Sequence, residues 1–541
     1  MNDGHGPLRR REFLAAMGRV AGSSAMLRAM AAMGIGTVAA ACGSSSAAPG
    51  AGQNPPPPPA STHSPRPGDW PAGIGTGKTV VILGAGIAGM TAAWEMEKLG
   101  YACTVLEATA RAGGRNRTIR SGDLVEESDT TQVCNFDVDN DLYFNAGPAR
   151  IAHHHEFLLG YCREFEVALE SFVNDNRAAL LHSPAAFGGR PQIARRVIAD
   201  TRGHIARLLA AAVDQGALDQ QLSVTDRINL LAMLGDFGDL GAGNSYAGSS
   251  RAGFPGQENA GSRQRAEALP PLDLQTLVAD AFWQQRQDFS QDLEQQPTML
   301  QPVGGMDRIA RAFEARVAQS IEFEARVTEV RKLANGVRIV YRNRDGIDIG
   351  LEADHCICTI PATVLRDIPN DFSPGHAAAI AGFQYSAAVK VAYQSRRFWE
   401  QGHNIYGGIS WTTQDMTQLW YPSHGFGRQA GIVVGSYVFG GAAGVALSNL
   451  LPAQRVNTTT TQASNLHPEF AVEADRGISI AWRKVPSQLG AWGISDPGVL
   501  LTADDRIYFG GEHLSILQGW QEGAILSAYH AIDLAVGRDT A

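Results

Sequence analysis

Short apolar runs alternate with helix-like periodicity along most of the chain that follows residue 78. Thr79 to Leu83 is a β-branched apolar run bounded by glycine, and this pattern predicts a buried strand. A helical pattern then extends to Leu99, and the next apolar run, Tyr101 to Leu106, predicts a second strand. Strand, helix and strand in this order are typical of the start of an α/β domain.

Later stretches continue this alternation. Two alternating strands are predicted within residues 321–341 and are joined at Asn335-Gly336, a dipeptide that favours a type I′ hairpin turn. Helical spacing at 193–213, inside a long stretch rich in Ala, Leu, Arg and Gln, predicts a helical insertion. The other predicted elements are a helix entered through glycines (301–317), a buried strand that ends at proline (354–361), and a strand, a Gly-Glu turn and a helix (505–532).

Three glycines lie at the first strand-to-helix turn in the spacing G-x-G-x-x-G. Gly84 would make the tight turn, Gly86 would let the backbone approach a pyrophosphate, and Gly89 would let the helix pack on the strand. Glu107 ends the second strand, where an acid accepts a hydrogen bond from an adenosine ribose. A structural turn explains a glycine motif that stands alone, but here strand, helix, strand and acid are in register. The sequence therefore predicts a dinucleotide site.

Composition narrows the class of protein. The chain has 541 residues, too many for one core, so two or three lobes are expected. An apolar content of 44% and a charged content of 18% are typical of a soluble globular protein. The net charge of −9 argues against nucleic acid or an anionic membrane as a partner. The histidine cluster at 153–155 and the six cysteines fit no metal-ligand spacing, so no metal site is predicted.

The first 77 residues look like a targeting segment and a linker. The sequence RRREFL, with Arg10 and Arg11 as the pair, precedes an Ala/Met/Gly-rich stretch and resembles a twin-arginine export signal. Two arginines and several glycines within residues 15–41 disfavour a stable membrane span. The signal segment would end either by cleavage after Ala41 or by lipidation of Cys42. Residues 42–77 would form a stiff Pro-rich linker. We expect a periplasmic or extracellular protein that the twin-arginine machinery exports.

The segment RAGGRNRT, Arg111 to Thr118, separates flavin enzymes from nicotinamide enzymes, which do not need this second glycine turn. Together with the blocks at 301–317, 321–341 and 505–532, in this order, it makes the chain from about Lys78 onward resemble the flavin monoamine oxidase family. Within that family the chain is most similar to the L-amino-acid oxidases. The resemblance implies bound FAD, oxidation of a C–N bond by hydride transfer, and hydrogen peroxide as the product of reoxidation.

The resemblance also implies an α/β fold with an α+β substrate lobe. It combines a glutathione-reductase-type FAD-binding domain, a mixed-sheet substrate domain and a helical insertion that walls the substrate channel. The implied order after the 1–41 signal and the 42–77 linker is FAD-binding domain (78–132, 300–375 and 488–541), substrate domain (133–186 and 376–487) and helical domain (187–299).

The family's cofactor residues carry over motif by motif. Glu107 would bind the ribose, Arg115 the diphosphate, Val327 the adenine, and Glu512 the ribityl-diphosphate region. Covalent-flavin members carry a cysteine in the segment that corresponds to 487–495, which has none here, so non-covalent FAD is expected. The full predicted set is Gly84, Ala85, Gly86, Gly89, Glu107, Ala108, Arg115, Gly147, Pro148, Ala149, Arg150, Val327, Glu512, Gly519, Trp520, Gln521, Glu522, Gly523 and Ala524.

Arg150 marks the predicted substrate pocket, because a buried carboxylate needs a cation with fork geometry. It lies where L-amino-acid oxidases carry a carboxylate-binding arginine, and the alternative is a structural Arg–Asp pair. Tyr437 would be a second carboxylate donor, unless it is an ordinary strand tyrosine. Gly519 and Trp520 match the family's Gly-Trp pair beside the reacting amine, and Trp492 would form the opposite wall.

Lys390 matches the lysine that, in this family, holds a water against the flavin, where its charge would favour oxygen reduction. Its apolar neighbours argue against the alternative, a surface lysine on a strand. The sequence shows no evident His or Asp base. The pKa of the substrate amine would be lowered instead by desolvation and by the aromatic faces of the pocket. The Gly/Ser-rich stretch 241–262 favours a surface loop over a mobile lid.

We therefore interpret the sequence as an exported L-amino-acid oxidase that uses molecular oxygen, with a homodimer left open. The alternatives are an amino-acid monooxygenase that forms an amide, a primary-amine or polyamine oxidase, and a non-catalytic FAD-binding protein. The preferred side chain does not follow from the sequence.

Overall fold

A computed structural model describes residues 66–254 and 267–540. The twin-arginine segment, Cys42, most of the linker and residues 255–262 of the Gly/Ser-rich stretch lie outside the described residues, so those interpretations stay predictions. The described part of 241–262 contains two short 3₁₀ turns, Ala242–Asn244 and Ser250–Ala252. Among the described helices, none combines the length and the hydropathy that a membrane span requires.

Strands and helices alternate along the described chain. In chain order the strands are β1 Thr79–Leu83, β2 Ala102–Leu106, β3 Thr118–Ile119, β4 Leu124–Glu127, β5 Thr130–Val133, β6 Phe144–Asn145, β7 Ile151–Ala152, β8 Leu169–Phe172, β9 Leu180–His182, β10 Gln192–Ile193, β11 Met299–Pro302, β12 Ile321–Glu322, β13 Arg326–Leu333, β14 Gly336–Arg342, β15 Asp348–Ala353, β16 His355–Cys358, β17 Val389–Arg396, β18 Gly408–Thr412, β19 Gln418–Tyr421, β20 Ala430–Val438, β21 Ala474–Ala481 and β22 Ile507–Phe509. The helices are α1 Ile87–Lys98, α2 Glu156–Glu164, α3 Ala194–Asp214, α4 Val224–Gly238, α5 Leu274–Ala279, α6 Phe282–Asp288, α7 Asp307–Val317, α8 Ala362–Leu365, α9 Pro374–Gly382, α10 Phe398–His403, α11 Gly441–Asn449, α12 Pro452–Ala463, α13 Phe470–Glu473 and α14 Gln521–Thr540.

The chain divides into two compact units. The smaller one contains Asn174–Pro297 and His403–Gln414, and the larger one contains 66–173, Thr298–Gly402 and 415–540. In the smaller unit α3 packs against α4 through Ala206, Ala210 and Leu234. The helix predicted over 193–213 is confirmed as α3.

A five-stranded parallel sheet is the centre of the larger unit. Its order is β12-β2-β1-β16-β22, so β1 lies in the middle. One face of the sheet packs on α1, α7 and α14, and the other packs on the β13-β14-β15 sheet. Burial on both faces explains the continuous apolar run from Val80 to Leu83. The two predicted strands of the first motif are confirmed, although the second begins at Ala102.

The predicted hairpin forms, but its predicted turn type is wrong. β13 and β14 pair antiparallel with Leu333 opposite Gly336, so Ala334 and Asn335 make the turn. A type I′ turn needs positive φ at both central residues, and neither of them has it. Gly336 instead begins β14, where a Cβ would lie 2.5 Å from the Ala353 carbonyl oxygen. The glycine serves close strand packing rather than the turn.

A second sheet of the larger unit holds the predicted lysine and tyrosine. The order β19-β20-β17-β21 places β17 between two antiparallel neighbours. Lys390 on β17 lies directly opposite Tyr437 on β20. The core beneath this sheet includes Ile432, Ile480 and Trp482, and Tyr437 packs against its edge.

Candidate active site

The glycine turn after β1 has the geometry that its spacing predicts. Gly84 has a φ of +102°, and a Cβ on Gly89 would lie 1.9 Å from the Gly84 carbonyl oxygen, so helix and strand pack too closely for any side chain. Gly86 is the N-cap of α1, and a Cβ there would meet no atom within 4 Å. It therefore borders open space at a helix N-terminus, where a phosphate is stabilised by backbone N–H groups and the helix dipole.

This open space belongs to a cavity of about 1150 Å³ at the carboxyl ends of the parallel strands. The residues that follow β1, β2, β16 and β22 all border it, as expected of an open α/β sheet. Its wall contains the predicted residues Gly84, Gly86, Glu107, Ala108, Arg115, Gly147, Pro148, Val327, Lys390, Tyr437, Trp492, Glu512, Gly519, Trp520, Gln521 and Ala524.

Glu107 is held in place at the end of β2. One carboxylate oxygen accepts a hydrogen bond from the Ala85 N–H at 2.9 Å, and the other accepts from the Thr109 N–H and hydroxyl at 2.9 and 2.7 Å. Carboxylate oxygens have further lone pairs, so a fixed, buried Glu107 can still accept from a ligand hydroxyl. Thr109 was not predicted from the sequence.

Arg115 and Glu512, predicted separately, form an ion pair. An Arg115 Nη donates to Glu512 Oε1 and to the Ala491 carbonyl, both at 2.6 Å. The other Glu512 oxygen accepts from the Gly519 N–H at 2.9 Å, and the carboxylate also meets the Gly493 N–H at 3.3 Å. Glu512 thus joins the two loops that carry the predicted aromatic residues.

Those two loops face each other closely. Gly519 has a φ of +84°, and a Cβ there would lie 3.3 Å from Cγ of Trp492. Trp492 itself is fixed through its carbonyl, which accepts from the Ser386 N–H. Both indoles, Trp492 and Trp520, border the cavity.

Arg150 lies behind the cavity wall rather than on it. It is 7% exposed, and its guanidinium carbon lies 4.6 Å from the ring centre of Trp420 and 5.6 Å from that of Trp520. Burial lowers the pKa of Arg150 to about 10 and raises the pKa of Tyr437 to about 12, while the two groups attract each other electrostatically. The predicted substrate residues Arg150, Tyr437 and Trp520 are therefore neighbours.

Lys390 is buried, as its apolar neighbours predict. Its Nζ donates to the carbonyls of Asn145 and Gly147 at 2.9 and 2.6 Å, and it lies 4.3 Å from the Tyr437 ring centre. The carbonyl between them, of Ala146, accepts from the Trp482 indole at 3.0 Å. Burial, and then the charge of Arg150, lowers the pKa of Lys390 well below its usual value. The lysine also anchors the segment that leads to Arg150.

Six predicted cofactor residues do not border the cavity. They are Gly89, which packs against Gly84, Arg150, which lies behind the wall, and Ala85, Ala149, Glu522 and Gly523. The Glu522 carboxylate instead accepts from the N–H groups of Phe157 and Leu158 at the start of α2, and burial raises its pKa. A Cβ on Gly523 would lie 2.3 Å from the Leu517 carbonyl oxygen, so this glycine serves packing. The sequence predicted both residues as cofactor-binding, but neither borders the cavity.

Comparison with known proteins identifies the family. The pattern of the flavin-containing amine oxidoreductases matches residues 87–533. The chain belongs to this family. It is 27% identical over 510 residues to the flavin-dependent L-tryptophan oxidase RebO of Lentzea aerocolonigenes, covering 85% of this chain and 99% of the relative. It is 25% identical over 474 residues to an L-amino-acid oxidase of Echis ocellatus, covering 84% and 88%.

Solved structures agree with the fold. Putrescine oxidase bound to putrescine superposes with a TM-score of 0.55 at 16% identity, covering 84% of this chain and 98% of that one. Cyclohexylamine oxidase from Brevibacterium oxydans gives 0.55 at 15%, covering 85% and 99%. The protein is a flavin-containing amine oxidoreductase with the fold of FAD-dependent amine oxidases, and its cofactor is FAD.

The residues present fit FAD. The open space beside Gly86 and the cation of Arg115 suit a diphosphate, the fixed Glu107 carboxylate suits a ribose, and Val327 offers an apolar face for adenine. The β13–β14 pairing shifts its register between Val327 and Glu329, which frees backbone groups beside the cavity. Among the described cysteines none borders the cavity, and non-covalent binding of FAD stays a prediction.

Several residues of the site carry no signal in the sequence. Trp420 contacts Arg150 and Tyr437 from β19, and Trp482 holds the Ala146 carbonyl from the end of β21. Neither belongs to a short motif, and each contacts site residues that lie far away in the sequence. The sequence shows the tryptophan but not the polar partner that the fold brings to it.

Proposed function

We propose that this enzyme oxidises L-amino acids to 2-oxo acids, with ammonia and hydrogen peroxide as the other products. The observation that carries the proposal is the buried guanidinium of Arg150, which lies against Trp520 and beside Tyr437, two residues of the cavity wall. The relatives named L-tryptophan oxidase and L-amino-acid oxidase support the same substrate class.

A carboxylate is the substrate group that this arrangement suits. The planar guanidinium offers parallel N–H donors that match the two oxygens of a carboxylate. The phenol of Tyr437, whose pKa burial raises to about 12, stays protonated and can donate a further hydrogen bond. A plain amine has no group that would use either donor.

The substrate amine must lose its proton before its α-carbon can release a hydride. The indoles of Trp492 and Trp520 and the Lys390 side chain border this part of the cavity. The Arg150 guanidinium lies directly behind it, 5.6 Å from the Trp520 ring centre. Desolvation and nearby positive charge both disfavour an ammonium, so the pocket lowers the pKa of the amine. FAD, held by the residues around Gly86, Glu107 and Arg115, would supply the redox chemistry of this oxidation.

Arg150→Met tests the proposal. Losing a charge-assisted bidentate contact worth about 2–4 kcal/mol should lower kcat/KM for amino acids by about 30- to 1000-fold. FAD content and activity on a plain amine should hardly change. Arg316→Met is a matched control, since Arg316 lies over the Phe165 ring, 4.2 Å from its centre, on the exposed side of α7. An equal loss on amino acid and amine would contradict the proposal.

Product analysis separates the alternatives. A panel of the twenty amino acids and several amines is assayed for peroxide, 2-oxo acid and amide. Equal amounts of peroxide and 2-oxo acid support the oxidase. Amide in place of both indicates the monooxygenase, and activity on amines alone indicates an amine oxidase. If no amino acid or amine bleaches the flavin under anaerobic conditions, the protein is a binding protein instead.

A further inference from the structure

Trp420 occupies the centre of the group of residues to which the proposed function assigns the substrate carboxylate. Its ring centre lies 4.6 Å from the Arg150 guanidinium carbon, 5.8 Å from Lys390 Nζ and 5.1 Å from the Tyr437 ring centre. One indole therefore contacts all three polar groups.

Its contact with Arg150 is electrostatic as well as apolar. Arg150 is buried, and burial penalises its charged form, as its lowered pKa reflects. The face of an indole carries negative charge and attracts a cation within about 6 Å, most strongly when the pair is desolvated. Trp420 is the nearer of the two indoles that contact this guanidinium.

The orientation of Trp420 is itself fixed. The side chain is 4% exposed, and its indole Nε1–H donates to the Gln418 side-chain oxygen at 2.8 Å. Gln418 and Trp420 are two residues apart on β19, so their side chains share a face of the sheet. The Phe172 ring, whose centre lies 5.7 Å away at an interplanar angle of 59°, restrains the indole further. Rotating the indole away would leave its N–H buried without an acceptor.

We infer that Trp420 is a positioning residue for the substrate carboxylate: it holds the Arg150 guanidinium in the orientation that binds the carboxylate, and Gln418 fixes Trp420 in turn. The inference rests on the proposed function, because it assumes that Arg150 binds the carboxylate. Trp420 does not border the cavity, so it acts through Arg150 rather than on the substrate.

Two substitutions of Trp420 distinguish the effect of its aromatic face from the effect of its volume. Trp420→Leu removes the aromatic face, whereas Trp420→Phe keeps a smaller one. Each variant is assayed with the most rapidly oxidised amino acid of the panel and with the amine that lacks its carboxylate. For Trp420→Leu we expect KM for the amino acid to rise about tenfold, with kcat and the kcat/KM for the amine changed less than about threefold. Trp420→Phe should recover most of the affinity.

A binding measurement adds a readout that does not depend on turnover. The dissociation constant of the corresponding 2-oxo acid, measured by calorimetry on the FAD-loaded protein, should rise by the same factor as KM. Gln418→Leu, which leaves the indole without its acceptor, should shift both constants in the same direction by a smaller factor.

Trp399→Phe is the matched control. Trp399 is fully buried in the same unit and lies 5.6 Å from the Arg397 guanidinium carbon, but contacts none of the predicted site residues. This variant should leave KM for the amino acid unchanged. FAD content and thermal stability, measured for every variant, identify any that fails to fold.

The outcomes distinguish the inference from the proposed function. If the wild-type enzyme oxidises no amino acid, both are overturned. If amino-acid oxidation depends on Arg150 while Trp420→Leu leaves KM unchanged, or lowers activity equally on the amino acid and the amine, only the role of Trp420 is overturned. If the Trp420→Leu chain does not fold, Gln418→Leu carries the test, and an unchanged KM for the amino acid in that variant overturns the role of Trp420.

Discussion

Replacing Lys390 by methionine removes a buried ammonium and keeps most of the apolar volume. Lys390 is 2% exposed, and its Nζ donates to the Asn145 and Gly147 carbonyls. Leaving two buried acceptors unpaired costs about 1–3 kcal/mol each. Removing a charge that burial disfavours offsets part of this cost. We therefore expect a loss of about 1–3 kcal/mol in the free energy of unfolding, less than the sum of two orphaned carbonyls.

The effect on turnover should divide between two steps that are measured separately. Anaerobic mixing with an amino acid gives the rate at which the flavin is bleached, and mixing the bleached enzyme with oxygen gives the rate of reoxidation. Negative charge develops on oxygen in the second step, and a fixed cation stabilises it without reorganisation. Losing one such group typically costs about a hundredfold or more in rate. We expect reoxidation to slow by that factor and bleaching to change modestly.

Lys332→Met is the control for replacing a lysine by methionine outside the site. Lys332, on β13, pairs with Asp504 and does not border the cavity, so neither rate should change. Reoxidation of the Lys390 variant at the wild-type rate would show that the lysine only anchors the backbone. A retained bleaching rate excludes a collapsed pocket as the cause of slow reoxidation.

Three further predictions follow from the geometry. Gly86→Val should abolish FAD binding without destabilising the apoprotein, because the new side chain enters open space. Gly89→Ala should instead destabilise the fold, because its Cβ would meet the Gly84 carbonyl oxygen. FAD titration and thermal melts distinguish the two effects. Acid precipitation should release FAD into the supernatant, and flavin retained in the pellet would contradict non-covalent binding. Burial and the charge of Arg115 lower the pKa of His513 to about 3, so below pH 6.5 the unfolded chain binds a proton that the folded protein does not. The free energy of unfolding should fall by up to about 1.4 kcal/mol per pH unit as pH drops from 6.5 toward 3, and His513→Leu should flatten this slope in denaturant titrations.

Local pattern was sufficient for the elements of the fold. The run from Thr79 to Leu83, the glycine turn and the helix at 193–213 are all confirmed, because each depends on periodicity and backbone sterics over a few residues. The turn at Asn335-Gly336 shows where this reasoning ends. Its dipeptide favours one turn type, but Gly336 lies in β14 against the Ala353 carbonyl of β15, and the dipeptide itself does not show this contact.

The site divides in the same way. Residues that bind through backbone or lie directly after a strand, such as Gly86 and Glu107, border the cavity as their motifs predict. Glu522 does not border the cavity, because its carboxylate accepts hydrogen bonds from the Phe157 and Leu158 N–H groups at the N-terminus of α2. Trp420 and Trp482 could not have been found, since each contacts a site residue that lies hundreds of residues away in the sequence.

The segment from Asn145 to Arg150 links the cofactor end of the cavity to the substrate end. A Cβ on Gly147 would lie 1.8 Å from the Arg115 carbonyl oxygen, so this glycine lets the segment approach the turn that serves the diphosphate. Lys390 holds the carbonyls on either side of Ala146, and Trp482 holds the one between. Arg150 follows three residues after Gly147, so its position is set by the contacts that also fix the backbone beside FAD. Because one short stretch is restrained from three directions, the position of Arg150 relative to the predicted FAD-binding residues follows from fixed backbone contacts.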